Sequence, residues 1–443
     1  MYYFVIAIIL FFCYKILTSR NNALGWYIMG ICLIYNGFHI GPLYSRFLFT
    51  FLLFFRAILN NRFYGIVKKM PLRRESVIFI VGMAISAVMS SSYTISSKLM
   101  LAGRELLTTI LIFPVAYFYL KIGTKPNLFV KHVIISLVVM FLAGMIELIV
   151  NHNYVHDIAI LYFNDYALSS IEMGEALQAY DMMYGRSRIE SLLCFSFDYG
   201  IYSLLLGLTV FYHYLKCRKL VFLLISVICG FFGGVMCGAR SVLFPCLIFY
   251  LLSLRILYKG YKSVILYTTM AFFVGLYILL WDKASYYSFI ITDLFTTGGA
   301  GLGGSSLDMR MNQLNVAVQL FYRSPIWGNG PKYLSTLSAG DVMRGAMMGS
   351  ESYIFQLLID NGAIGLVTSF FFFFSIFRRA IKERIRTKAY MIASLTGAFL
   401  LFSLLTGVQG AWFVFMPLLA YSFTTQKDLF ADGHKSINCS SKL

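Results

Sequence analysis

Apolar residues in this chain come in long unbroken runs. A stretch such as Met1 to Leu17 (MYYFVIAIILFFCYKIL) has almost no polar side, so it lacks the two-faced pattern of a helix lying on a water-soluble core. A helix needs about 20 mostly apolar residues to cross the hydrocarbon of a bilayer. Runs of that kind lie near 2–18, 24–42, 44–60, 75–92, 104–120, 132–150, 192–214, 220–238, 241–258, 263–281, 352–377, 389–405 and 408–424. The pattern predicts an all-α polytopic membrane protein with about 12–13 transmembrane helices. The first run has no basic stretch before it and no small-residue cleavage site after it, so it reads as a retained span. Two intervals are too long to be mere connections. The chain therefore divides into N-terminal helices (1–150), a first long loop (151–191), central helices (192–281), a second long loop (282–351), and C-terminal helices with a tail (352–443). No internal repeat is evident.

Composition narrows the class. Of 443 residues, 59% are hydrophobic and only 13% are charged. Soluble domains run near a quarter charged. A soluble enzyme, a secreted domain and a disordered scaffold are excluded. The net charge of +18 would suggest nucleic acid as partner in a soluble protein. Here its distribution gives a simpler account. With the N-terminus outside and the C-terminus in the cytoplasm, 26 of the 37 basic residues fall on the inner side, and both long loops fall outside. No nucleic-acid partner is implied. The eight cysteines include no CxxC pair, and most sit inside apolar runs. They read as small buried hydrophobes rather than a disulfide frame or a zinc site.

The second loop carries the strongest candidate chemistry. Residues 309–322 have helical spacing of apolar positions. Ser324-Pro325-Ile326-Trp327-Gly328-Asn329-Gly330-Pro331 is a turn-rich break. Glu351-Ser352 stands at the mouth of the next run, which continues to Asn361-Gly362-Ala363-Ile364-Gly365. This order resembles the O-antigen polymerase and O-antigen ligase superfamily of bacterial surface-polysaccharide enzymes, over roughly residues 186–377. The shared elements are Arg310 followed by Pro325-x-x-Gly328-x-Gly330, Glu351-Ser352 with Gly362 and Gly365 at the ligase spacing, Arg188 with Leu192, and Arg240 opening a run. The ligase pattern has a histidine where this chain has Glu351, and a carboxylate there looks more like the polymerases.

The resemblance implies a glycan transferred from undecaprenyl pyrophosphate to the next lipid-linked repeat unit, at the outer face of the bacterial inner membrane. It implies lipid-linked oligosaccharide repeat units as donor and acceptor, membrane lipid as surroundings and a chain-length regulator protein as partner. Physical chemistry assigns roles. Arg186, Arg188, Arg240 and Arg310 stand on a side that membrane topology strips of cations, and their guanidinium forks suit a pyrophosphate. Glu351 suits the base that takes the acceptor's hydroxyl proton. No metal motif stands on the outer side, so the expected transferase needs neither metal nor cofactor.

Each feature has a plainer reading. The arginines anchor to phospholipid, and Glu351 caps the helix after it. The run Gly298 to Gly304 is a hinge, and His152 with His156 lacks further metal ligands nearby. Glu147, Asp198 and Asp360, in or near spans, are expected to pair with the arginines and orient them. Phe370 to Phe374 faces lipid, and the basic stretch 378–388 fixes topology. Two other functions compete. An O-antigen ligase shares the chemistry but wants the histidine. A lipid-linked oligosaccharide flippase wants evenly spaced spans and short loops on both sides.

Overall fold

The computed structural model describes residues 1–41, 43–90, 94–150, 152–163, 189–193, 195–257, 307–336, 343, 352–406 and 409–424. The described chain is mostly helical, as the unbroken apolar runs demand. A helix satisfies its backbone internally, which is the condition for lying in hydrocarbon. The exception is a small antiparallel hairpin, β1 (His39–Ile40) with β2 (Leu43–Tyr44).

In chain order the N-terminal half holds α1 (Tyr2–Thr18), α2 (Ala23–Leu33), α3 (Ser45–Ile58), α4 (Phe63–Val67), α5 (Arg73–Met89), α6 (Ile95–Thr108), α7 (Ile112–Ile122), α8 (Pro126–Val150) and α9 (Tyr154–Phe163). The second half holds α10 (Ser196–Cys217), α11 (Leu220–Met236), α12 (Arg240–Leu257), α13 (Leu307–Arg323), α14 (Tyr353–Lys382), α15 (Arg386–Leu405) and α16 (Trp412–Thr424). Among the described residues, α8, α14 and α15 are each long and apolar enough to cross a membrane. Joining α6 to α7, bent by 41°, gives a fourth.

Several expected runs coincide with helices, and others are broken. The run 24–42 stops at Leu33 and turns into the hairpin, where Gly41 takes a left-handed φ of +58°. The run 104–120 is two helices. Pro114, in the first turn of α7, has no N–H and crowds the preceding turn, so a single helix cannot pass through 109–111. The Thr108 and Thr109 hydroxyls donate to the Glu105 carbonyl at 3.1 and 2.7 Å, closing the end of α6. The run 220–238 is α11, but Ser226–Phe231 widens into a π turn. There Gly230 meets Gly207 of α10 backbone to backbone, and the Ser226 hydroxyl donates to the Gly207 carbonyl at 2.7 Å. The run 263–281 lies outside the described residues, as do most of both long loops.

α10 is buried along nearly its whole length and forms the centre, with α8, α11 and α15 around it. α14 packs against α5 and α15, and α7 against α16. Trp412, Phe399, Phe415 and Phe373 interlock, with Phe399 and Phe415 stacked at 4.1 Å. The phenylalanine run is two-sided: Phe372 and Phe373 are buried, while Phe370, Phe371 and Phe374 are exposed. In the basic stretch, Arg379 reaches Glu75 at 3.4 Å and Lys388 reaches Glu383 at 3.0 Å. Cys13, Cys32, Cys229, Cys237 and Cys246 are buried and form no disulfide among the described residues; Cys194 and Cys439 lie outside them.

Candidate functional site

The turn after α13 and the middle of α14 form one structure. Gly362 sits at φ +60°, ψ −155° and interrupts α14. Such a break strands backbone groups on both sides. The turn takes them up. The Asn329 and Gly330 N–H groups donate to the Ile359 and Asp360 carbonyls at 2.9 and 3.0 Å. In return the Ala363 and Ile364 N–H groups donate to the Pro325 and Ile326 carbonyls at 2.9 and 3.2 Å. The Asn329 amide adds bonds to the Leu320 and Ile359 carbonyls, at 2.9 and 3.0 Å, and so ties α13 in. Ser86 of α5 donates to the Trp327 carbonyl at 2.6 Å and accepts from Asn361 at 3.2 Å.

This pairing explains the glycines. A Cβ on Gly328 would collide with the Asp360 carbonyl, and one on Gly362 with the Gly328 nitrogen. Gly328 also has φ +75°, so no side chain suits it. The two glycine motifs, separated in sequence, are the two halves of one backbone seam.

The seam gathers charge. The Asp360 carboxylate is buried and accepts from the Lys332 and Tyr333 N–H groups at 3.0 and 3.1 Å. Lys332 holds a left-handed φ of 56°, a costly conformation for a non-glycine residue. Its side chain is exposed, and its amine lies within reach of the charges of Arg104, Glu105 and Asp360. Surrounding protein lowers the Lys332 pKa, Arg104 lowers it further, and the two acids oppose them. Glu105 of α6 is buried, and its carboxyl makes no hydrogen bond among the described residues. Tyr353, at the start of α14, lies within electrostatic range of both acids.

Arg310 lies in the first turns of α13, partly exposed, on the helix that the seam anchors. One turn on, Gln313 is 1% exposed, and neither its amide oxygen nor its nitrogen has a partner among the described residues. Arg240 is the first residue of α12. Arg186, Arg188, Glu351 and the run Gly298 to Gly304 lie outside the described residues.

The three acids expected to orient arginines divide differently. Asp198 bonds an arginine at 2.6 Å, but it is Arg46, and both side chains are 2% exposed. Tyr202 stacks on that guanidinium at 5.4 Å, and its hydroxyl donates to the Gly410 carbonyl at 2.9 Å. Glu147 accepts from the Glu190 and Ser191 N–H groups, with Ser191 at 2.6 Å, and so clamps the chain just after Arg188. Asp360 serves backbone. His152 pairs with Asp157 at 2.6 Å and His156 with Glu190 at 3.4 Å, so the two histidines do not converge.

Sequence reasoning missed Glu105, Lys332 and Gln313. Glu105 carried a signal, since an acid inside an apolar run is a functional candidate. Lys332 and Gln313 carried none, because neither burial nor backbone angle is visible in a one-dimensional pattern. No protein-family model matches this chain, and no curated protein is significantly similar to it.

Proposed function

We propose that the protein is a polysaccharide polymerase of the bacterial inner membrane, with O-antigen, capsule or exopolysaccharide as product. It moves a growing glycan from undecaprenyl pyrophosphate to the next lipid-linked repeat unit. In this reading 12–13 spans put both long loops at the outer face. The observation that carries the reading is the seam, which joins the Arg310 helix, the Pro325-x-x-Gly328-x-Gly330 turn and the Gly362–Gly365 break in one rigid body. A group transfer between two large lipid-linked substrates needs fixed cations at the leaving pyrophosphate, and a helix pinned at one end supplies that fixity.

The chemistry follows from residue types. Arg310, with Arg186, Arg188 and Arg240, holds the donor pyrophosphate. Glu351 takes the proton of the acceptor hydroxyl as that oxygen bonds to the donor's anomeric carbon. The bond from that carbon to pyrophosphate breaks, and the arginines take up the charge that leaves.

The test is a surface-polysaccharide gel from a host deleted for this gene and complemented with wild type, Arg310→Ala or Glu351→Gln. The expected pattern is a single repeat unit on the lipid A core in the null, and no polymer ladder from either variant. Bare core with polymer still on the carrier would indicate a ligase. Bare core with repeat units held on the inner face would indicate a flippase.

A further inference from the structure

The group around Glu105 is separate from the arginines of the transfer chemistry. A buried carboxyl with no hydrogen bond among the described residues is unfavourable unless a further group completes it. Glu105 keeps 8% of its surface open, so a ligand atom can reach it. Two exposed cations belong to the same group: Arg104, its neighbour in the chain, and Lys332, whose charge acts on both. Lys332 is fixed by its own N–H on Asp360 at 3.0 Å. Arg104 is fixed by the Phe47 ring, whose centre lies 5.7 Å from the guanidinium carbon. Phe47 heads a column on α3. It stacks on Phe51 at 6.4 Å, and Phe51 stacks on Phe55 at 6.1 Å. Phe51 and Phe55 are exposed. Beside Arg104, Gly103 leaves open space, and Leu99 and Met100 are exposed one turn earlier.

Cations, a hydrogen-bond acceptor and an apolar strip that begins at one of the cations describe an amphiphile. The cations select a phosphate, and the carboxylate selects a hydroxyl donor close to that phosphate. We propose that Arg104, Glu105 and Lys332 form a headgroup site for a hydroxyl-bearing lipid phosphate, with its tail along Phe47, Phe51 and Phe55. A polyprenyl-pyrophosphate-linked sugar and phosphatidylglycerol share this chemistry. The site stands independently of the polymerase reading.

The experiment uses the full chain in phosphatidylethanolamine nanodiscs and counts retained lipid by native mass spectrometry. One arm adds the undecaprenyl-pyrophosphate-linked oligosaccharide extracted from the gene-deleted host. The other adds phosphatidylglycerol. Wild type should retain at least one of them, and the better retained names the source. Glu105→Gln, Lys332→Met and Arg104→Met should each weaken that retention by about tenfold or more, the scale of a lost charged hydrogen bond. Lys332→Arg should keep it, which separates loss of charge from loss of fold. If all three variants retain both lipids like wild type, the site is wrong. If Glu105→Gln combined with Lys332→Met binds like wild type, Glu105 is only a counter-ion and the proposal falls. A polymer ladder that persists in the gene-deleted host would remove the polymerase reading and leave these binding results unchanged.

Discussion

Asp198 and Glu105 are both buried acids, and their surroundings differ in kind. Asp198 has the Arg46 guanidinium at 2.6 Å, with Tyr202 stacked on it and the Gly410 backbone against its oxygens. Its neighbours come from α3, α10 and the turn before α16, so the pair fastens three elements together. Glu105 has cations nearby but none bonded to it, and its carboxyl makes no hydrogen bond among the described residues. A buried charge bonded to its counter-ion serves the fold, even though Asp198 Oδ1 has no hydrogen bond among the described residues, because removing one partner leaves the other stranded. One with no counter-ion bonded to it weakens the fold and is explained by what it binds.

The strongest test of this contrast is Asp198→Ala. It should destabilise by about 3–5 kcal/mol, read as a large fall in the unfolding midpoint of the detergent-solubilised protein. An unchanged midpoint would show that the pair does no structural work. Gly362→Val comes next. It adds a side chain where φ is +60° and the Gly328 nitrogen lies in the way, so the folded yield should drop sharply, by roughly 1–3 kcal/mol from strain before the clash is added. Asp360→Asn should cost less, about 1–3 kcal/mol, by weakening the acceptor for Lys332 and Tyr333. Gln313→Leu should raise stability by about 1 kcal/mol, since it removes a buried amide with no partner. A fall in polymer length with that gain would place Gln313 on the substrate. Glu105→Gln should move the unfolding midpoint least of all while lowering lipid retention. A midpoint drop as large as that of Asp198→Ala would erase the distinction between the two acids.

Much of the architecture was legible because burial in lipid leaves a coarse imprint. Runs such as 2–18 and 389–405 match α1 and α15 closely. The expected helix 309–322 is α13, and the expected turn after it is a turn. What failed were interruptions. The breaks at 109–111, at Gly362 and in the π turn of α11 follow from proline placement or from a partner backbone far away in sequence. A window of hydropathy averages over both. In the candidate site, the glycines were visible as motif letters, but their task was not. Gly328 and Gly330 read as a turn and Gly362 as a matter of spacing, and Gly328 and Gly362 prove to admit the backbone of each other's segment. Asp198 was picked out as an acid in a span, but its partner Arg46 is distant in sequence, and pairing at that range leaves no trace in spacing.

The seam also fixes an order of events. Interrupted at Gly362, the middle of α14 has two carbonyls and two N–H groups whose partners all lie in 325–330. Until that turn arrives, α14 carries an unsaturated patch that hydrocarbon will not accept. During biosynthesis the turn leaves the ribosome first, so it must be held in place when α14 enters the membrane. Cutting the chain in 337–351 should therefore be survivable if both pieces are made together, whereas deleting 324–331 should strand α14 outside the bilayer.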